Sequence, residues 1–385
     1  MLLRVLGTAA GGGIPQWNCA CPSCTGARAH PARRRHHASL AVQATEGRWY
    51  IVNATPDIGD QIEGCPPLRP RPGTRRSPVA GLILTDAELD HTLGIARLRE
   101  AAGLEVLATG AVRDALLNRL GLGTVLGPYT ELRWRELPHG QAVPLGQAPG
   151  PGPAEPADPA ARANPGLPAA PGDDAGWAIA ERAGRLATDE ADSGLLVEVS
   201  AIPVSRKRPR YAVPADSPGP GGKRAAGLGD DGPAETGGAS GSTSGGADRR
   251  GSEEQGRDGG GWVVALRITD RVSGATALYA PAIATWSAEL ADAVAEADCV
   301  IVDGTFWDED EPCRAGIGTR TATGMGHLPI VGPGGTAERL STLHARCLYT
   351  HLNNTNPLVD PGAAEHRRLA EWGIEVAADG MVIEL

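Results

Sequence analysis

Three cysteines lie close together near the start of the chain, in the pattern Cys-x-Cys-x-x-Cys at Cys19, Cys21 and Cys24. Thiolates at this spacing can hold one ion, and a structural Zn²⁺ usually takes four ligands. Free thiols packed so densely also oxidise readily unless a metal holds them. The pattern therefore favours a structural zinc site over three incidental buried cysteines or a redox pair. The fourth ligand has to come from elsewhere in the chain.

A second set of metal-competent side chains follows three apolar strands. Asp90 and His91 come shortly after a strand that ends at Leu84, while Asp303 and His351 each follow another apolar run. An Asp-His pair alone is weak evidence, because exposed pairs of this kind are common. Three strand ends together are stronger, since α/β folds build their sites at strand ends. Two imidazoles and one carboxylate form the arrangement of non-haem Fe(II) oxygenases, which leaves positions open for O₂ and substrate.

His327 lies in a glycine-rich stretch, Gly324-Met325-Gly326-His327-Leu328, with no periodic apolar context. This context disfavours a core histidine. Its ring could donate or accept a proton near the metal, or serve as an additional ligand. The alternative is a loop histidine whose hydrogen bonds are satisfied locally.

The elements that position these residues come in two batches of strands, with helices after several of them. Such an order fits two sheets packed face to face with helices outside. Strands are expected at 2–6, 39–43, 49–53, 79–84, 194–204, 263–268, 276–279, 299–302, 346–349 and 381–385. Helices are expected at 94–102, 111–120, 287–296, 336–343 and 362–372.

The length of 385 residues and the 41% hydrophobic content suit one large domain or two ordinary ones. Two stretches, 148–174 and 216–261, are rich in Gly, Pro, Ala or Ser and poor in large apolar residues. Neither can bury enough apolar surface to offset the entropy of ordering. We therefore expect a single domain over 1–385 that carries two disordered insertions.

The net charge of −10 disfavours a nucleic-acid partner, because neutralising phosphates requires clustered Lys and Arg. No apolar stretch approaches the roughly 18–20 residues needed to span a bilayer. The N-terminus is too short and too soon interrupted for a signal peptide. The sequence thus predicts a cytoplasmic protein with no membrane partner, and it leaves a homo-oligomer open.

Eight blocks of the sequence closely resemble the coenzyme pyrroloquinoline quinone (PQQ) synthesis protein B family, in family order from end to end. The blocks are LGTAAGGGIPQWNC (6–19), NATPDI (53–58), DHTLG (90–94), VDGT (302–305), GIGTR (316–320), MGHL (325–328), GPGG (332–335) and HLNNTNP (351–357). The resemblance runs from the N-terminus to the C-terminal strand, and only the two low-complexity insertions fall outside it. The family belongs to the metallo-β-lactamase superfamily, and the resemblance implies an αββα sandwich of two facing mixed sheets with helices outside.

The superfamily's usual metal motif is His-x-His-x-Asp-His, and here Asp86 and Glu88 replace its two leading histidines. Those histidines build the first metal site of the superfamily. The resemblance therefore carries over one site only, formed by Asp90, His91 and His351. A hydrolytic mechanism that uses two metals loses its first ion.

Two further residues take roles from the resemblance. Asp303 stands where the superfamily places its bridging aspartate. Phosphodiesterase-like relatives share the cysteine pattern and complete their zinc site with a histidine three positions after the late metal histidine. The matching position here is Asn354, an unusual zinc ligand.

For function, the resemblance implies that the chain hydroxylates the tyrosine ring of a precursor derived from a Glu-Tyr peptide, using Fe²⁺ and O₂. His327 and Asp303 would assist catalysis, and His327 would move protons. The basic segment 206–210 either pairs with substrate carboxylates or is an ordinary solvated loop. Other PQQ-pathway proteins are expected partners. The alternatives are a non-catalytic carrier of PQQ or its precursor towards the periplasm, and a hydrolase with a single metal.

Overall fold

A computed structural model describes residues 1–101, 103–146, 197–213, 261–316 and 319–385. Fourteen strands in these residues are numbered in chain order. They are β1 Leu2–Gly7, β2 Ser39–Thr45, β3 Arg48–Val52, β4 Val79–Ile83, β5 Gly103–Ala108, β6 Glu131–Glu136, β7 Val143–Pro144, β8 Val197–Ser205, β9 Val263–Asp270, β10 Thr276–Ala280, β11 Cys299–Asp303, β12 Arg346–Thr350, β13 Ile374–Val376 and β14 Val382–Glu384. They form two seven-stranded sheets, ordered β14-β1-β2-β3-β4-β5-β6 and β13-β12-β11-β10-β9-β8-β7.

Both sheets are mixed, and their parallel halves lead to the candidate site residues. Strands β3 to β6 run parallel in the first sheet, and β10 to β13 run parallel in the second. The antiparallel β2–β3 hairpin turns at Gly47, whose φ of 72° favours glycine. Asp90 and His91 follow β4, and His351 follows β12 directly. The topology therefore delivers these residues from strand ends in two different sheets.

Alternating side chains divide each strand between two apolar layers. On β2, Leu40 and Val42 belong to the core between the sheets, whereas Ala41 faces the outer core of the first sheet. On β12, Leu348 lies in the core between the sheets and Tyr349 lies in the outer core of the second sheet. This period of two is what a strand buried on both faces produces. Helices cover the outer faces, and the predicted αββα sandwich is confirmed.

Ten short α-helices connect the strands within the described residues. They are α1 Pro22–Ala29, α2 Ile58–Gly64, α3 Leu89–Thr92, α4 Gly110–Asp114, α5 Leu122–Leu126, α6 Ala288–Ala295, α7 Glu311–Arg314, α8 Ala322–Met325, α9 Thr336–Leu340 and α10 Glu365–Glu371. Side-chain caps mark several starts; for example, the Ser287 hydroxyl accepts a hydrogen bond from the Leu290 amide at the start of α6. None of the helices in these segments has both the length and the apolar character needed to cross a bilayer.

All ten predicted strands exist, with ends shifted by a few residues. Four observed strands were not predicted: β5, β6, β7 and β13. Charged residues such as Glu105 and Arg133 interrupt the apolar pattern of β5 and β6, and the other two strands are very short. The helix predicted at 94–102 is wrong in type, because a 3₁₀ helix spans Leu93–Leu98. The insertions expected at 148–174 and 216–261 lie outside the described residues, apart from Gly261.

Candidate metal centre

Asp90, His91 and His351 each direct one donor atom towards a common point, and these atoms all lie within 4.8 Å of one another. Asp90 Oδ2 is 3.8 Å from His91 Nε2 and 3.8 Å from His351 Nε2. Asp90 and His91 lie on α3, while His351 follows β12. The fold thus brings together the three residues that the sequence predicts as iron ligands. Their role as ligands stays a prediction.

Two nitrogen atoms of this cluster lack the hydrogen-bond partners that buried polar atoms normally have. His91 Nε2 and His351 Nε2 are buried and have no hydrogen-bond partner. Their side chains are only 3% and 6% exposed, so bulk water does not solvate these nitrogens. Buried polar atoms normally find a partner. Two orphaned imidazole nitrogens that face one carboxylate oxygen therefore fit a bound cation.

A hydrogen-bond chain holds the opposite side of the His91 ring. His91 Nδ1 lies 2.7 Å from Asp86 Oδ2, and the Thr85 hydroxyl donates to the same oxygen at 2.8 Å. Asp86 Oδ1 accepts the backbone N–H of Glu88 at 2.9 Å. Asn53, which has a φ of 64°, braces Thr85 through two side-chain hydrogen bonds. This chain requires a proton on Nδ1 and leaves the lone pair of Nε2 free for a metal.

The His351 ring is held in the same way through a hydroxyl. His351 Nδ1 lies 2.8 Å from Thr305 Oγ1, and that hydroxyl donates to Asp303 Oδ1 at 2.6 Å. Because the single hydroxyl proton goes to Asp303, the hydroxyl accepts from His351 Nδ1. His351 itself has a φ of 59°, a backbone conformation that few non-glycine residues adopt. Thr305 therefore fixes the ring so that Nε2 faces Asp90.

Asp303 and His327 form a second group around His351. Asp303 Oδ2 accepts the Ile283 N–H and faces His327 Nδ1, both at 2.8 Å, while Oδ1 accepts the Thr305 N–H at 3.0 Å. With the hydroxyl bond of Thr305, the carboxylate has four protein partners. The His327 ring stacks on that of His351, with centroids 5.6 Å apart. In this arrangement Asp303 positions the two histidines.

The electrostatics around these donors favour a positive charge. Burial opposes the charged form of His91, but the charges of Asp86 and Asp90 outweigh it and raise the pKa of His91 to about 9. Burial likewise opposes ionisation of Asp90, yet His91 and His351 hold the pKa of its carboxyl well below its usual range. Burial lowers the pKa of His351. Before a metal binds, the centre therefore combines ionised carboxylates with a protonated His91, and a divalent cation at Nε2 would displace that proton and take over its positive charge.

The three cysteines form a separate cluster. The sulfur atoms of Cys19, Cys21 and Cys24 lie within 4.8 Å of one another. Cys21 caps α1, a helix absent from the sequence expectation, by accepting the Cys24 N–H at its sulfur. Asn354 Nδ2 lies 3.2 Å from Cys19 Sγ and 3.4 Å from Cys21 Sγ. The fold thus brings the predicted fourth residue to the thiols, with its amide nitrogen as a hydrogen-bond donor to sulfur.

The surroundings of the thiols differ. Burial acts to raise the pKa of Cys21, but hydrogen bonds from the Cys24 backbone N–H and the Asn354 amide lower it overall. Burial raises the pKa of Cys24 to about 11. Donors aimed at sulfur stabilise a thiolate, which is the form that binds metal. The cluster therefore fits a zinc ion.

One short segment links the two centres. His351 and Asn354 are three residues apart, and Leu352 between them exchanges backbone hydrogen bonds with the glycine-rich N-terminal loop, donating to Thr8 O and accepting from Ala10 N. In the same loop, a Cβ built on Gly11 would lie 3.0 Å from Asp90 Oδ2. Sequence reasoning missed the supporting roles of Gly11 and Thr305. Thr305 follows Asp303 by two residues in the sequence, and Gly11 begins a run of three glycines; these were the available signals.

Comparisons with known proteins agree with this architecture. A family model described as the β-lactamase superfamily domain matches residues 48–189 and 194–352. Coenzyme PQQ synthesis protein B of Azoarcus sp. is 32% identical, covering 100% of both chains. The protein of the same name from Cupriavidus necator is 33% identical, covering 100% of this chain and 99% of that relative. The crystal structure of Zn²⁺-bound PqqB from Methylobacterium extorquens matches with a TM-score of 0.69 at 25% identity, covering 100% of both chains.

Proposed function

Because the chain belongs to the coenzyme PQQ synthesis protein B family within the β-lactamase superfamily, we propose that it hydroxylates the tyrosine ring of a Glu-Tyr-derived precursor, using Fe²⁺ and O₂. The chain takes part in PQQ biosynthesis. The observation that carries the proposal is the set of three donors at Asp90, His91 and His351, with two orphaned imidazole nitrogens. Two histidines and one carboxylate are the ligands of non-haem Fe(II) oxygenases.

The residues at the first metal position of the superfamily support oxygenation over hydrolysis. Asp86 occupies one of the two histidine positions, and its carboxylate is committed to the His91 ring, the Thr85 hydroxyl and the Glu88 N–H. Glu88 occupies the other position. A metal pair that activates water and clamps both reacting oxygens needs two full ligand sets. The described residues around Asp90 provide one set.

In this proposal a ferrous ion held by Asp90, His91 and His351 supplies the activation of O₂. Asp86 and Thr305 keep His91 and His351 in the Nδ1-protonated tautomer, so that both Nε2 atoms stay available as donors. His327 is 12% exposed and lies beside the centre, with its Nδ1 held by Asp303. Its Nε2 is the atom at which a proton is taken up or released as the ring is modified.

A single experiment separates the candidate functions. The full-length protein is loaded with Fe²⁺ without oxygen, mixed with a Glu-Tyr peptide and exposed to ¹⁸O₂. We expect the tyrosine ring to gain the mass of a labelled oxygen atom. The Zn²⁺-loaded protein and the His351→Ala variant serve as controls and should give no labelled product.

Other outcomes would overturn the proposal. Smaller peptide fragments that form equally well without O₂ would establish a hydrolase with a single metal. Tight binding of PQQ without any turnover of the peptide would favour the carrier function.

A further inference from the structure

The segment that follows β8 lies against the metal-binding loop. The Tyr211 hydroxyl donates to the Ala87 carbonyl at 2.6 Å, and Ala212 is buried in the outer core of the first sheet. Lys207 Nζ lies 3.6 Å from Glu88 Oε1, two residues before Asp90. These contacts anchor the basic segment beside α3. It is therefore a fixed part of the rim of the metal centre.

Lys207 also reaches the opposite side of the centre. A Cβ built on Gly326 would lie 3.0 Å from Lys207 Cδ and 3.7 Å from Lys207 Nζ, so the lysine stem runs along the residue before His327. The Lys207 side chain thus lies between Glu88, in the segment that carries Asp90 and His91, and Gly326, in the segment that carries His327. Glu88 follows β4 of the first sheet and Gly326 follows β11 of the second, and we call the region between these two segments the mouth of the metal centre.

The ammonium is only loosely engaged. Its distance of 3.6 Å from Glu88 is longer than a good hydrogen bond, and the Lys207 side chain is 44% exposed. An incoming anion can therefore approach Nζ without first breaking a strong contact. Other residues hold the segment in place: Tyr211 donates to Ala87 O, and the Arg208 guanidinium lies 5.1 Å from the centre of the Trp262 ring.

Lysine is rare in this chain, so its presence at position 207 is informative. Of the 36 lysine and arginine residues only two are lysines, Lys207 and Lys223, and Lys223 lies outside the described residues. A lysine ammonium is a compact charge with three donors, whereas a guanidinium is a broad planar fork. The unbranched lysine stem lies close to Gly326, which has no side chain. Adding a Cβ there would obstruct it.

From these contacts we propose that Lys207 forms a carboxylate subsite at the mouth of the metal centre and holds a carboxylate of the substrate there. The inference rests on the proposed function and deepens it. The centre itself is rich in carboxylates, at Asp86, Glu88, Asp90 and Asp303, which repel an anionic substrate. A cation at the mouth offsets that repulsion and orients the substrate by its charged end.

The test measures binding without turnover. Full-length protein loaded with Zn²⁺ is titrated calorimetrically with a Glu-Tyr dipeptide and, separately, with Gln-Tyr-amide, an analogue that keeps the N-terminal amine but has no carboxylate. Lys207→Met should weaken binding of the charged peptide about tenfold, the low end expected for a charge-assisted hydrogen bond at a half-exposed site. Binding of the amidated peptide should change less than about twofold between the two proteins, since the interaction is already missing.

Arg271→Met is the matched control. Arg271 is also about half exposed and also forms a loose ion pair, 3.7 Å from Glu198, but it lies at the other end of β9, away from the metal centre. It should leave both affinities within about twofold of wild type, and all three proteins should bind equal amounts of metal.

Every other result would contradict the proposed role of Lys207 in binding a substrate carboxylate. Equal losses for the charged and the amidated peptide would show a general structural effect. Unchanged affinity in Lys207→Met, or no binding of the charged peptide to wild type, would also overturn the subsite. The proposed function is judged separately by ¹⁸O incorporation in the Fe²⁺-loaded protein, so an inert iron form that still binds the peptide through Lys207 refutes oxygenation alone.

Discussion

Replacing Gly11 by alanine should weaken the metal centre although Gly11 is not a ligand. The added Cβ would lie 3.0 Å from Asp90 Oδ2 and 3.3 Å from Asp90 Cγ. Contacts this short are tighter than ordinary van der Waals contact, so the carboxylate has to move by a few tenths of an ångström. Asp90 Oδ2 is the oxygen that faces both orphaned imidazole nitrogens. The tolerance on metal–ligand distances is about 0.2 Å.

The expected loss of metal affinity follows from comparing the displacement of the Asp90 carboxylate with the tolerance on metal–ligand distances. A shift larger than the tolerance misplaces one of three ligands, and changing the groups that orient a ligand typically costs about 10–100-fold in metal affinity. This corresponds to about 1.4–2.8 kcal/mol at 1.4 kcal/mol for each tenfold change. Folding should be nearly unaffected, because Gly11 is exposed and its φ is not in the left-handed region.

Gly12→Ala provides a demanding control one residue away. Its Cβ would meet Gln16 Oε1 at 2.5 Å, a shorter contact than that of Gly11, but the Gln16 side chain is flexible and can rotate away. Both replacements restrict the unfolded chain equally. Any difference in metal affinity between the two variants therefore reports on Asp90.

Cobalt is a suitable probe because thiolate ligation produces intense charge-transfer absorption that carboxylate and imidazole ligation does not. Titration of Co²⁺ against a competing chelator then gives the two affinities separately. Gly11→Ala should lose affinity at the Asp90 centre, keep the thiolate signal and melt near wild type. Retained affinity within about twofold, or an equal loss in Gly12→Ala, would refute the role assigned to the Gly11 contact.

Three further changes test other parts of the structure. Thr305→Val keeps the side-chain shape but removes the hydroxyl behind His351, so metal affinity at the Asp90 centre should fall about tenfold while the fold and the thiolate signal persist; an unchanged affinity would contradict the orienting role. Cys21→Ala should lower both zinc stoichiometry and thermal stability, because a structural site contributes folding free energy; if neither quantity changes, the thiolate site is wrong. Burial raises the pKa of Glu311 from 4.5 to about 7. Because this folded-state pKa is higher than the unfolded one, its stabilising contribution is present below about pH 4.5 and is lost as the pH rises through about 7. From about pH 5 to about pH 8 the free energy of unfolding should therefore fall by up to about 3 kcal/mol more in the native protein than in Glu311→Gln, and parallel pH profiles would refute the assignment.

Much of this architecture is readable from local patterns. Apolar runs of strand length identified the strands before Asp90 and His351, and the dense cysteine pattern identified the thiol cluster. Both signals are local, because each depends on a few consecutive residues. The αββα class also followed from the order of strands and helices together with the family resemblance. Strands such as β6 were not predicted, because charged residues alternate with apolar ones along this edge strand and obscure its apolar face.

The roles of the aspartates could not be read in this way. Asp86, Asp90 and Asp303 all follow or end apolar strands, and nothing local distinguishes them as possible ligands. In the structure, Asp86 and Asp303 are saturated with hydrogen bonds from the protein, whereas Asp90 faces two orphaned imidazole nitrogens. The sequence identified the candidate side chains, and the tertiary structure shows which of them already have hydrogen-bond partners in the protein; metal binding by Asp90 stays a prediction.

Periodicity along the chain reports where a strand ends and which of its faces is apolar. It carries no information on which other strand end lies opposite. Asp90 and His351 come from different sheets and meet only because the two inner faces pack together across the shared core of residues such as Leu40 and Leu348. Contacts between residues so far apart depend on strand pairing and sheet packing, which only the complete fold specifies.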